Sequence, residues 1–278
     1  MDFDTIIDGI KELPPLSDTA KVVERLYVNG AENVNITNLI YAIESDASLT
    51  LNILKMINAP YYGFSRKIAS VSQAVTLFGT QTIYGLVVKF CAENLIIANL
   101  RPYGITSSEF NKISHLQSSL MSQWYSKIDR QHAQKMTPLA LIMDSGKLIT
   151  SREIVKVGKI KEFQDGLVQA DDLIEYENSF FGTTSSYIAG VLFEHWNLDP
   201  LYATILKELD FIGEDTSAQM DAYIFSLDVV RTAINVKEVL TQNSIAHACD
   251  LIEDRGFEVD DFLHVTSRLK EKLNSEKE

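Results

Sequence analysis

A chain of 278 residues, 46% hydrophobic and 23% charged, has the composition of a globular protein with apolar material for one large or two modest cores. The formal net charge is −13 and no stripe of lysine or arginine offsets it locally, which argues against phosphate-backbone binding and leaves nucleic acid out as a partner. The acidic start has no basic-then-apolar leader, and the apolar runs break before about 18 residues, so neither a signal peptide nor a membrane span is expected and the setting reads as cytoplasmic.

Apolar residues recur at helical spacing almost throughout and period-two alternation is scarce, which predicts an all-α fold. Ile6, Ile7, Ile10 and Leu13 form the first stripe, stopped by Pro14 and Pro15. Ser17 can cap a second helix that Asn29-Gly30 ends, Asn35 or Thr37 opens a third, and Asp46 caps a fourth bearing Leu49, Ile53, Leu54 and Ile57. The stretch from Asn58 to Gly63 breaks it. Ser70 or Ser72 restarts a short helix closed at Gly79, and a long apolar helix is expected over 80–98. Arg101-Pro-Tyr-Gly104 is the best linker candidate. Beyond it, helices are expected over 108–128, 138–149, 151–163, 171–180, 185–196, 200–209, 218–241 and 260–273.

Cys91 and Cys249 lie in helical patterns and are expected as buried, reduced thiols. The pair Gly146-Lys147 lacks the first glycine of a phosphate-binding loop, and neither a His-Glu-x-x-His zinc motif nor a Gly-x-Ser-x-Gly elbow occurs. His132, His247 and His264 stand isolated in the sequence, and Trp124 and Trp196 read as core anchors. The acidic group Asp171, Asp172, Glu175 and Glu177 reads as a solvated helix start.

Several segments together carry a family resemblance. They are Leu13-Pro-Pro-Leu16, the Asp46-Ala-Ser-Leu49 cap, the run from Leu54 through Asn58-Ala-Pro-Tyr-Tyr-Gly63, the run from Lys67 to Val75, and Leu77-Phe-Gly79. In order and spacing they resemble the N-terminal lobe of HDOD domains, degenerate relatives of the HD and HD-GYP metal-dependent phosphohydrolases. Glu177 with Gly182, and Trp196 with Leu198, continue the likeness. The resemblance implies two packed helical lobes: an HDOD-type lobe over 1–100 and a degenerate HD-like core over 101–212, with a helical extension over 213–278 packed on that core.

The most informative stretch runs from Pro138 to Lys147, Pro-Leu-Ala-Leu-Ile-Met-Asp-Ser-Gly-Lys. The family resembled reads small-apolar-apolar-His-Asp-x-Gly-Lys here; Asp144, Gly146 and Lys147 stand in their places, and Met143 stands at the histidine. A thioether is a poor ligand for the hard metals of phosphate chemistry. The other histidine positions implied by the resemblance fall at Ile113, Ser185, Glu208 and Leu209. His115 lies two residues from the first, a rotation of roughly 200° around a helix, and is expected as a surface or packing residue. Asp144, Lys147 and Glu208 are the expected remnants of the pocket. Asp144 is expected to persist for a structural reason, with Lys147 partly neutralising it and Gly146 admitting a neighbouring helix.

The resemblance therefore implies a non-catalytic signalling module without metal or cofactor, acting on a protein partner in two-component, motility or cyclic-dinucleotide regulation. The expected contact rim is Asn58, Tyr61, Tyr62, Phe64, Arg66 and Lys67, with the cleft beside Asp144 as a second surface. A residual phosphohydrolase and a nucleotide sensor in the remnant pocket are the alternatives. The oligomeric state stays open.

Overall fold

The computed structural model describes residues 3–64, 66–96, 98–211 and 217–275. The described residues are 76% helical and contain no strand. The fold is all-α, as the periodicity requires.

Helices α1 (Phe3–Lys11), α2 (Asp18–Tyr27), α3 (Ile36–Glu44) and α4 (Ala47–Ile57) open the chain, and the last three pack in sequence, α2 on α3 and α3 on α4. Ser17, Asn35 and Asp46 each accept the backbone N–H of the third residue onward, so local side-chain chemistry sets where the last three begin. Their inward faces bury Ile6, Val23, Leu39, Ile43, Ile53 and Ile57 completely, each contributing roughly 1.5–3 kcal/mol of transfer free energy.

Helix α5 (Val71–Leu95) is the spine, packed against α2, α3 and α4. Gly79 interrupts it at φ +76°, a conformation open to glycine, so the expected break is present. The helix ends at Leu95, short of the expected 98. By length and composition it could cross a membrane, contrary to the expected absence of any such run, but most of its apolar stretch is buried against its neighbours.

Helix α6 (Ser107–Leu120) opens with a capping box of Thr106 and Glu109 and runs on into a π turn, Met121–Tyr125. Helix α7 (Arg130–Ile142) begins well before the expected 138, and Pro138 lies inside it. The proline is accommodated because Gly85 of α5 faces it: a Cβ there would stand 2.7 Å from Pro138 Cβ. A 3₁₀ turn, Met143–Ser145, then separates α7 from α8 (Gly146–Lys156), so the key motif sits at a helix junction and not within one helix.

Helices α9 (Ile160–Gln169), α10 (Leu173–Phe181), α11 (Ser185–His195) and α12 (Pro200–Glu208) follow. The expected 218–241 helix is shorter: α13 (Ala218–Ala233) gives way to an isolated bridge between Ile234 and Val239. Then comes α14 (Gln242–Asp254), which the sequence reading lacked, and α15 (Asp260–Ser275). Helix α13 buries Leu227, Val229, Val230 and Ala233 against α6, α7, α12 and α14. Helix α15 lies on α6, the π turn and the Pro60–Tyr62 turn. The 101–104 segment is no loose linker, because Pro102 and Tyr103 are buried and the Tyr103 hydroxyl is bonded into the core.

Candidate functional site: a lysine-filled pocket

The junction between α7 and α8 places Asp144 at the inner end of a cavity of about 500 Å³, bordered by α8, α10, α11, α13 and α14. Gly146 makes this geometry possible. A Cβ on it would stand 1.8 Å from the Ser185 carbonyl oxygen, so only glycine lets α8 approach α11 this closely.

Lys147 lines the cavity beside Asp144. Its Nζ donates to Asp144 Oδ1 at 2.6 Å and to Ser185 Oγ at 2.9 Å, with Glu177 Oε1 at 3.8 Å. Gln117 of α6 donates from Nε2 to Asp144 Oδ2 at 2.8 Å and to the Ile234 carbonyl at 2.9 Å. Glu177 accepts the Tyr103 hydroxyl at 2.8 Å and the Ser185 backbone N–H at 2.8 Å. Burial works against charge on Asp144, but Lys147 and the hydrogen bonds from Lys147 and Gln117 outweigh it and hold the carboxyl below its ordinary range. Burial likewise opposes the Lys147 charge, and Asp144 with Glu177 holds it above the usual lysine value.

Of the expected remnants, Asp144 and Lys147 meet here, whereas Glu208 does not line the cavity. Helix α12 ends at Glu208, and the next carboxylate, Asp210, is bound by Arg231, whose Nε also reaches Asp228 Oδ1 at 2.8 Å. Ile113 is buried, and the α6 side chain that bonds Asp144 is Gln117, one turn further along the same face. Glu177 is buried in the network and not part of a solvated acidic start, while Asp172 caps α10. His247 lines the cavity, which its isolation in the sequence gave no hint of.

The donor set does not suit a hard divalent ion. Both Asp144 oxygens are taken by N–H donors that cannot ligate a metal, and the neighbouring side chain is the Met143 thioether. Among the described residues, no group of three or more His, Cys, Asp or Glu is placed to hold a metal.

The expected rim divides. Asn58 is spent on structure: its amide donates to the Leu54 and Ile68 carbonyls at 2.7 and 2.9 Å and accepts the Ile68 N–H at 2.9 Å. Tyr61 is 4% exposed. Both anchor the turn that carries the rest. Phe64, Arg66 and Lys67 line an open groove with Leu77, and Tyr62, Phe64 and Leu77 line a second groove that continues it toward α7. His115 is buried rather than superficial, with Nδ1 3.1 Å from the Tyr62 hydroxyl. His132 is also buried, its Nε2 2.9 Å from Ser226 Oγ. Cys91 is buried and Cys249 half-buried, both free.

An all-helical fold of this order, with an HD-like junction occupied by lysine, defines the class of HD-related helical domains. The chain belongs to the HDOD domain family, whose model matches residues 13–209. Among solved structures it is similar to a virulence factor from Campylobacter jejuni subsp. jejuni, at 24% identity over 98% of this chain and 96% of that one, with a TM-score of 0.57. It is similar to a protein from Shewanella amazonensis SB2B provisionally described as a phosphohydrolase, at 14% identity over 96% and 93% of the two chains, TM-score 0.66. A Marinobacter aquaeolei VT8 protein provisionally described as a signal transduction protein shares 18% identity over 98% of this chain and 62% of that one, TM-score 0.61. At these identities the likeness is one of fold. No curated protein matches the chain significantly.

Proposed function

We propose that this chain is a non-catalytic regulatory module that acts by binding a signalling protein. The observation that carries the reading is the donor set at the junction: the Met143 thioether stands where the resembled family has its histidine, and both Asp144 oxygens accept N–H donors, one from Lys147 and one from Gln117. Lys147 Nζ takes one oxygen of Asp144 and also bonds Ser185 Oγ, and Gln117 takes the second oxygen of Asp144. Family membership supports a role in signal output.

The test pairs metal analysis of the purified chain with hydrolysis assays on simple phosphomonoesters, phosphodiesters and cyclic dinucleotides, with magnesium or manganese added. The expected result is no stoichiometric ion and no metal-dependent turnover, together with specific retention of a signalling protein. Bound metal with turnover overturns the reading.

One observation favours a second reading. A cavity of about 500 Å³ is within the size of small-molecule sites, and Arg231 and Lys237 line it alongside Lys147. A nucleotide sensed there without turnover would raise the melting temperature of the folded chain in a nucleotide panel.

A further inference from the structure

We propose that the two continuous grooves around Phe64 and Leu77 form the docking surface, and that their occupant is an acidic segment of the partner protein carrying apolar side chains. This rests on the protein-binding function proposed above and names the chemistry of the partner.

The geometry comes first. The groove beside Arg66 and Lys67 holds about 460 Å³ and the adjoining one about 660 Å³, and both are lined by Phe64, Thr76 and Leu77, so they form one surface. Phe64 and Leu77 are 44% and 54% exposed, although each is a large apolar side chain. Behind them the rings are fixed: Phe64 packs on Phe78 with centroids 5.2 Å apart, and Tyr62 meets Phe78 edge-on at 4.9 Å. The floor is shaped by two backbone irregularities. Gly79 interrupts α5, and the π turn of Met121–Tyr125 presents Ser122 and Gln123. Such single π turns are frequent at functional sites. Asn58 clamps the near wall through Ile68, so the surface is preformed.

The charge then selects the occupant. The chain carries a net −13, yet the charged residues lining the two grooves are Arg66, Lys67, Arg130 and Lys135 against Glu32 alone. None of these four cations makes a salt bridge among the described residues, whereas Lys147, Lys207, Arg231 and Arg255 are paired with carboxylates. An exposed apolar strip flanked by cations that form no salt bridge, on a chain of net negative charge, complements acidic side chains set around an apolar anchor.

The test uses the full chain as bait, with carbodiimide coupling, which joins a carboxyl group directly to an amine. Wild type is compared with R66E/K67E, R130E/K135E and L77D, all at exposed positions, and the urea midpoint of each is matched to wild type. The expected result is an amide cross-link from Lys67 or Lys135 to Asp or Glu of a retained protein. Each variant should lower retention at least tenfold, and retention should weaken as salt rises. A partner retained equally by all variants, and cross-linked elsewhere, overturns the groove while leaving the proposed function standing. A wild-type chain that retains no partner overturns the proposed function and the groove with it.

Discussion

Lys147 Nζ and Asp144 Oδ1 stand 2.6 Å apart inside the pocket, three residues apart in sequence and joined across the turn that starts α8. With side chains 6% and 11% exposed, neither charge is solvated enough to stand alone. Replacing Lys147 with Met should therefore destabilise the fold by about 3–5 kcal/mol at neutral pH, the usual consequence of stranding one half of a buried pair. The sign with pH follows from the directions. Asp144 is held below its ordinary range, so its stabilisation is present above the unfolded carboxylate value near about 4 and is lost as pH falls through the folded one. Lys147 is held above its ordinary value, so its share is lost only as pH rises past about 10. In K147M burial remains and the partner is gone, so Asp144 protonates more readily. Urea midpoints of wild type and K147M should converge between pH 7.5 and pH 4.5. An equal gap at both would show that the ammonium does not compensate the carboxylate.

Gly146 sets the distance between α8 and α11. Gly146→Ala places a methyl where the Ser185 carbonyl oxygen stands, and backbone cannot yield as a flexible side chain does. The expected loss is about 3 kcal/mol or more, read as a lower urea midpoint. The widened junction should also move Lys147 from Ser185, so amide exchange at the start of α11 should speed up. A stable G146A with unchanged exchange would mean that the two helices separate freely.

Much of the fold was legible because the signals are local. Ser17, Asn35 and Asp46 announced their helices, and the break at Gly79 followed from glycine within an apolar pattern. Helix α14 was missed because its buried face is only Ser244, Ala248 and Ile252, too sparse to register as a stripe. Pro138 misled because a proline is read as a helix start, and the glycine that accommodates it, Gly85, lies on another helix. At the site, Asp144 and Lys147 were visible through their motif. Gln117 and Tyr103 were not, since their partners Asp144 and Glu177 lie 27 and 74 residues away and only the folded packing brings them together. Glu208 failed for a related reason: the end of α12 turns the next carboxylate, Asp210, toward Arg231 instead.

Restoring one imidazole should not restore a metal site. Met143→His puts a ligand beside Asp144, but Lys147 and Gln117 still occupy both carboxylate oxygens. Equilibrium dialysis of M143H against manganese should show no stoichiometric binding beyond wild type. Tight binding by the single variant would mean that Lys147 leaves Asp144 readily, and the lysine-filled pocket would lose its place in the functional argument.

The two buried histidines make the acid side of the stability curve steep. Burial, with Lys89 nearby, pushes the His115 imidazole down to about 3. Burial also lowers His132 to about 4, with Asp129 opposing and Lys135 assisting. In the unfolded chain both titrate near about 6.5, so below that pH the unfolded state binds protons the folded state refuses. Stability should fall with falling pH, by up to about 1.4 kcal/mol per pH unit for each histidine, from near 6.5 down to the folded values. His115→Asn keeps a hydrogen-bonding group for the Tyr62 hydroxyl while removing the titration. Urea unfolding at pH 7, 6 and 5 should give H115N a slope shallower than wild type by about the share of one histidine. An unchanged slope would place His115 in water, and the wall it builds behind Tyr62 would then be mobile rather than packed.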